Sequence, residues 1–200
     1  MTYESFYGAA LKPLEQTKAL LHDMIRTYTE SVGQTDQLKP IVYDCSRIKS
    51  PESAIKKCRL RGFGTSLGAA LENLYDLVGI RVICAFSADV YRLAEWLKQQ
   101  PDIRIVQEKD YYAAPKPNGY RSYHLLLQVP STGMHAEIQL RTIAADFWAT
   151  LEHQMKYKKE IPNEKMIRKE LKRCADEIAS VDLSMQTIRE IIQESLTPAA

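Results

Sequence analysis

Apolar residues recur at spacings of three and four from Leu11 through Leu14, Leu21, Ile25, Tyr28 and Val32, with Lys18 filling one slot. That period predicts an amphipathic helix, stopped by Gly33, with an extended segment opening at Lys39-Pro40 and a short strand at Ile41–Cys45. Ser50-Pro51-Glu52 supplies a capping serine, a proline at the first helical position and an acid in the first turn. A short, very basic helix to about Arg59 should follow. After a break at Gly62–Gly64, Ser66–Tyr75 reads as a helix and Val78–Phe86 as a β-branched strand interrupted inside by Arg81. Asp89–Gln100 reads as an amphipathic helix and Ile103–Gln107 as a strand. Tyr120–Val129 and Met134–Arg141 flank Pro130-Ser131-Thr132-Gly133, which is hairpin chemistry. A helix from Ile143 to about Tyr157 carries Phe147, Trp148 and Leu151.

The last helix has the most regular pattern. Ile167, Leu171, Cys174, Ile178, Val181, Met185, Ile188 and Ile192 alternate spacings of four and three, a heptad seam rimmed by Glu170, Lys172, Glu177 and Arg189. Its partner is expected to be the stripe Leu11–Val32, within one subunit or between subunits. Strands and helices in mixed order predict an α+β fold, a mixed sheet of about five strands flanked by helices. A single domain is expected over 1–200, with a catalytic core at 39–160, an N-terminal helical extension at 1–38 and a C-terminal helix at 161–200.

Composition narrows the function. The 200 residues are 45% hydrophobic and 26% charged with a net charge of +2, ordinary for a soluble globular protein and too balanced for bulk capture of nucleic acid. The cations cluster locally instead, from Arg47 to Arg61 and from Lys109 to Arg121, which suits a small polyanion. Cys45, Cys58, Cys84 and Cys174 form no C-x-x-C pair and read as reduced, mostly buried thiols. With no signal peptide and no apolar run near the ~20 residues of a membrane span, the expected location is cytoplasmic.

Lys116-Pro117-Asn118-Gly119-Tyr120-Arg121-Ser122-Tyr123-His124 joins a glycine turn to cations, an imidazole and stackable rings. In Glu137-Ile138-Gln139-Leu140-Arg141-Thr142, alternation puts Glu137, Gln139 and Arg141 on one strand face and Ile138 and Leu140 on the other. The second run alone would equally describe a solvated edge strand. Asp76 closes a helix before the strand containing Arg81. Two carboxylates from neighbouring strand ends, Asp76 and Glu137, can hold one Mg²⁺, which takes its other ligands from water and phosphate. Arg81 in an apolar strand must be paired or face a cleft. Arg47 and Lys49 share one face of an extended segment, and Ser53 and Lys57 share one face of the next helix. Together these resemble a phosphate cradle with guanidinium planes for base stacking. His22-Asp23, His135 and His153 lack metal-ligand spacing, no H-E-x-x-H or Walker loop is present, and Trp96 and Trp148 sit on apolar helix faces as core residues.

These segments resemble the RelA/SpoT-type alarmone synthetases, in a small, synthetase-only form. The resemblance runs from about Ile41 to Lys158. It rests on Arg47-x-Lys49-x-x-x-Ser53-x-x-x-Lys57, Tyr75 to Arg81, Asp110-Tyr111-Tyr112, Lys116 to His124, Glu137 to Thr142, and Phe147 to His153. It implies a nucleotidyltransferase-like synthetase fold that transfers the β,γ-pyrophosphate of ATP to the 3′-hydroxyl of GDP or GTP, without a hydrolase domain. Arg47 and Arg81 would sandwich adenine, and Lys49, Ser53 and Lys57 would hold the ATP phosphates. Asp76 and Glu137 would bind Mg²⁺, with Glu137 also accepting the 3′-hydroxyl proton. Tyr120 would stack on guanine, and Lys116, Asn118, His124 and Arg141 would contact the acceptor, with Gln139 nearby. A homotetramer is implied, with no membrane and no stable nucleic-acid partner. Asp146, where an asparagine is expected in some small relatives, puts their allosteric nucleotide site in doubt. The rival readings are a toxin-type relative acting on adenosine nucleotides or tRNA, and an inactive nucleotide-binding regulator.

Overall fold

The computed structural model describes residues 1–32, 39–156 and 163–196. In chain order the elements are α1 (Tyr3–Tyr7), a 3-10 turn (Gly8–Ala10), α2 (Leu11–Val32), β1 (Ile41–Ile48), α3 (Pro51–Leu60), α4 (Leu67–Asn73) and β2 (Val78–Cys84). Then come α5 (Ser87–Lys98), β3 (Arg104–Asp110), β4 (Tyr123–Val129), β5 (Met134–Thr142), α6 (Ile143–Lys156) and α7 (Glu164–Leu196). The sheet has five strands in the order β1-β2-β5-β4-β3. β2 and β5 are parallel, and every other neighbouring pair is antiparallel. The expected α+β class with a mixed sheet is what the chain adopts.

One sheet face is the core. Val78, Ile80, Val82 and Cys84 of β2, Ala136, Ile138 and Leu140 of β5, and Tyr123, Leu125, Leu127 and Val129 of β4 are all buried there. α2 covers this face with Leu14, Leu21, Ile25 and Tyr28, and α5 with Val90, Leu93, Ala94 and Leu97. Each such side chain contributes roughly 1.5–3 kcal/mol by leaving water. The α2 slot assigned to Lys18 belongs to its neighbour Thr17, fully buried, whose hydroxyl meets Thr132 Oγ1 at 2.6 Å. A hydroxyl is tolerated there because the hairpin turn offers it a partner.

Several boundaries move for physical reasons. β1 runs to Ile48 because pairing with β2 continues from Ile41↔Cys84 to Ile48↔Val78, which carries Arg47 into the sheet. β4 begins at Tyr123 because Gly119, at φ +88°, turns the chain just before it. α1 and the 3-10 turn had no apolar period to announce them. α4 ends at Asn73, so Asp76 sits in the turn before β2 rather than at a helix end. β5 is an interior strand, not a solvated edge. Cys45 is exposed, on the open face of edge strand β1. The expected stop at Gly33 and end at Tyr157 lie outside the described residues. Among the described residues no helix is long and apolar enough to cross a membrane.

The largest correction concerns α7. It packs on α6 and α5, while α2 spends its stripe on the sheet, so the expected pairing of the two stripes does not form within the chain. Leu171, Cys174 and Ile178 of the seam pack against the body around Trp148. Beyond them the helix is inverted. Val181, Met185, Ile188 and Ile192 are 47–57% exposed, and the inward residues are polar. Asp182 accepts from Thr142 Oγ1, and Gln186 Oε1 accepts from the Ala88 amide at 3.2 Å. Arg189, assigned to the solvated rim, is 1% exposed; its Nη1 donates to buried Asp89 at 2.7 Å and its guanidinium lies 4.6 Å from the centroid of the Phe86 ring. Removing one partner of a buried pair strands the other, at a cost of about 3–5 kcal/mol. Arg189→Leu should therefore lower unfolding stability in urea by about that amount, since the contact of Asp89 to Arg92 is longer, at 3.6 Å, and half-exposed on the arginine side.

Candidate active site

The sheet face opposite the core gathers the candidate site residues, arranged by strand register. One rung across the sheet reads Arg47, Gly79, Glu137, Leu126, and the next reads Cys45, Arg81, Gln139, His124. Gly79 leaves the floor between Arg47 and Glu137 without a side chain. Arg47, Asp76, Arg81, Glu137 and Gln139 wall a cavity of about 230 Å³ there.

Asp76 enters this cavity from the turn ahead of β2. Its Oδ2 receives Lys57 Nζ at 2.6 Å and Lys49 Nζ at 2.9 Å. Burial would raise its pKa, but the hydrogen bonds and charges of the two lysines win and the carboxyl lies below its ordinary value. Its Oδ1 is buried with no hydrogen-bond partner. Such an orphaned acceptor beside a second carboxylate fits a small divalent cation, and Asp76 and Glu137 are the pair that could hold one. Among the described residues no three acids, histidines or cysteines converge, so the donor set matches Mg²⁺ with water and phosphate oxygens rather than a closed protein cage. Ser53 stands apart from this cavity: it lies one turn into α3, where its hydroxyl accepts from the capping Ser50 at 2.9 Å.

Glu137 is held from two sides. His124 Nδ1 lies 2.9 Å from Oε1, and Gln139 Nε2 donates to Oε2 at 2.9 Å. Burial pushes the carboxyl up, yet His124, Gln139 and the charge of Lys57 outweigh it and bring the pKa down to about 2. The group is an anion at any neutral pH. From His124 the network continues to the Tyr120 hydroxyl at 2.9 Å, which also accepts from Arg141 Nη2 at 2.8 Å. Because an ionised carboxylate only accepts, it is His124 Nδ1 that donates to Glu137. Arg141 Nη1 then donates to Asp146 Oδ1 at 2.8 Å. Asp146 also pairs with Arg81 at 3.5 Å and accepts from the Tyr43 hydroxyl at 2.7 Å, a bond that pushes the Tyr43 pKa up to about 12.

A second cavity of about 280 Å³ shares Arg81 with the first and is lined by Tyr120, Arg141, Ala149, Glu152 and His153. Lys116 and Asn118 lie beyond it, away from Glu137. Lys116 Nζ sits 4.6 Å from the Tyr111 ring centroid and 4.9 Å from that of Tyr120, and Asn118 Nδ2 donates to Glu152 Oε1 at 2.9 Å. The sequence gives no role to four residues here that the structure ties into the network: Asp146, which anchors both guanidinium groups, Glu152, Tyr111 and Arg121. Arg121 Nη1 donates to the carbonyls of Gly119 at 3.0 Å and Ala175 at 3.2 Å, tying the loop to α7. Trp148 Nε1 adds a bond to Leu171 O at 2.8 Å. The spacing of Arg141 and Asp146 across a strand-to-helix junction was the available signal; the tie of Arg121 to α7 had none, because Ala175 and Asp176 are more than fifty residues away.

Residues 46–162 match the family model described as the region found in RelA / SpoT proteins. The chain belongs to the RelA/SpoT family. It is 41% identical over 157 residues to the GTP pyrophosphokinase YwaC of Bacillus subtilis, covering 76% of this chain and 75% of that one. A GTP pyrophosphokinase family protein from Streptococcus pneumoniae superposes with a TM-score of 0.83 at 33% identity, over 99% of this chain and 100% of that one. Small alarmone synthetase 1 of B. subtilis, bound to its product pppGpp, gives a TM-score of 0.80 at 30% identity over 90% and 95% of the two chains. The same protein bound to AMPCPP gives 0.74 at 30% identity over 92% and 96%.

Within this RelA/SpoT protein the loop bearing Tyr120 is seated on α7 through Gly119. A Cβ at Gly119 would lie 2.5 Å from Ala175 Cβ, on top of the strain of a positive φ. Gly133 shares the positive φ but has open space around it. Gly119→Ala should therefore lose clearly more stability than Gly133→Ala, the latter by about 1 kcal/mol, and should speed amide exchange in α7. Equal losses would show that the loop does not rest on the helix.

Proposed function

We propose that the chain is a GTP pyrophosphokinase that transfers the β,γ-pyrophosphate of ATP to the 3′-hydroxyl of GDP or GTP, making (p)ppGpp. The observation that carries this reading is the pair of adjoining cavities. One is walled by Arg47, Arg81, Asp76 and Glu137, the other by Tyr120 and Arg141, and Arg81 belongs to both. Residues 39–160 would act as the catalytic core. The similarity to a synthetase solved with pppGpp and with AMPCPP supports the same substrates.

In this reading ATP enters the first cavity with adenine between Arg47 and Arg81, and its phosphates draw Lys49 and Lys57 away from Asp76, with Ser53 alongside. Mg²⁺ held by Asp76 and Glu137 would neutralise phosphate charge. Guanine stacks on Tyr120, while Lys116, Asn118, His124, Gln139 and Arg141 orient the acceptor. The 3′-oxygen attacks the β-phosphorus, the bond from that phosphorus to the α,β-bridging oxygen breaks, and AMP leaves. Glu137, anionic at neutral pH, takes the 3′-hydroxyl proton. His124 and Gln139 keep its carboxylate aimed, so little reorganisation is needed at the moment of transfer. Glu137→Gln keeps the shape but removes the base. Turnover of labelled ATP with GDP or GTP should fall on the order of 10²–10⁴-fold. Wild-type rates in that variant would remove Glu137 from the mechanism, and product formed with ADP but not with guanine nucleotides would overturn the acceptor.

The outward faces of α6 and α7 support assembly into a homotetramer. Ile143, Phe147 and Leu151 on α6, and Val181, Met185, Ile188 and Ile192 on α7, form exposed stripes at helical spacing. Closed symmetric homo-oligomers are the usual outcome for such surfaces. Met185→Asp with Ile188→Asp should give a smaller, folded species by light scattering. A wild-type protein already monomeric at micromolar concentration would end this reading.

A further inference from the structure

The first turns of α7 carry cations at a spacing that aligns them. Lys165, Arg168, Lys169 and Lys172 follow steps of three, one and three, so they stack along one side of the helix. Arg168, Lys169 and Lys172 wall a cavity of about 600 Å³ whose opposite wall is Lys116 to Asn118. Its one acidic wall residue, Glu152, already accepts from Asn118. Like charges at these spacings oppose each other, so their convergence destabilises the bare helix and an anion would relieve it. The ion pairs Arg168–Glu164 and Lys172–Asp176 lie on exposed flanks and are weak enough to exchange for phosphate. The volume is within the range of small-ligand sites.

We infer that this cleft binds the 5′-phosphate chain of the acceptor nucleotide, so that α7 grades acceptors by how many 5′-phosphates they carry. The inference rests on the proposed function. Glu152 lines both this cleft and the cavity over Tyr120, and Lys116 reaches from the cleft to the Tyr120 ring. A nucleotide stacked on Tyr120 therefore has an open route for its phosphates toward Arg168 and Lys169. Neither cation touches the reacting atoms; both set specificity through charge.

The test uses Arg168→Glu with Lys169→Glu, and the milder Lys169→Gln, in the full chain, with thermal unfolding to confirm that each is folded. KM for GMP, GDP and GTP is measured at saturating ATP. In the double variant KM for GTP should rise by at least about tenfold and that for GDP by less, with GMP changed by under about threefold; kcat and the KM for ATP should stay put. Lys169→Gln should shift GTP in the same direction by less. Equal KM changes for all three acceptors, or none, would overturn the inference. So would a change confined to inhibition or activation by added tetraphosphate product, which would assign the cleft to a second nucleotide. Calorimetry with inorganic tripolyphosphate reads the cleft without turnover: wild-type binding weakened in the double variant supports it, and unchanged binding overturns it. Absence of product from wild-type protein with every guanine acceptor would instead sink the proposed function alone.

Discussion

Parallel pairing of β2 with β5 is the constraint on which the site depends. It places Gly79 beside Glu137 and Arg81 beside Gln139 in the middle of the sheet, where both strands are pinned by the core behind them. Parallel strands cannot be joined by a tight turn, so α5, β3 and β4 fill the connection, and β4 returns on the far side of β5 bearing His124. The cavity of Asp76 and Glu137 and the Tyr120 network thus share one floor. A shift of one residue in that register would send Glu137, Gln139 and Arg141 into the core and Ile138 and Leu140 into the cavity.

Charge is then balanced locally. Arg47, Lys49, Lys57, Arg81 and Arg141 crowd one face of the sheet, and three carboxylates answer them. Asp76 gathers the two lysines, Asp146 gathers Arg81 and Arg141, and Glu137 is fixed by His124 and Gln139. Buried guanidinium groups need such partners, and here the partner also determines where each plane lies. Asp146 entered the sequence reading only as a departure from expectation. In the fold it joins β1, β2, β5 and α6 at one point.

What could be read in advance follows the range of the interaction. Alternation in Glu137–Thr142 gave the two faces of β5, and Ser50-Pro51 gave the start of α3, because both are local. The sheet class and the shared cavity of Asp76 and Glu137 followed from strand patterns. The seam of α7 was read correctly as apolar, but its direction was not, since a period cannot say which side turns inward. Arg189, Gln186 and Asp182 face the body because Asp89, the Ala88 amide and Thr142 wait there, 40 to 100 residues away in the chain. The contact of Gly119 with Ala175 was likewise invisible in one dimension.

The apolar interior is split in two. The main cluster draws on α2, α5 and the sheet and takes nothing from α7, whereas Trp148, Ala149 and Ala175 form a separate small nucleus with Tyr120 at its margin. The two halves of the candidate site therefore rest on foundations of unequal depth. Glu137 and Arg81 stand on strands backed by the main cluster, but Tyr120 shares its footing with a helix fastened mostly by hydrogen bonds and by the ion pairs Arg189–Asp89 and Arg121–Asp176. Opening of that minor nucleus is a sub-global event that leaves the rest of the fold standing. Loss of that nucleus would take the footing from under Tyr120 while the sheet carrying Glu137 and Arg81 keeps its own core.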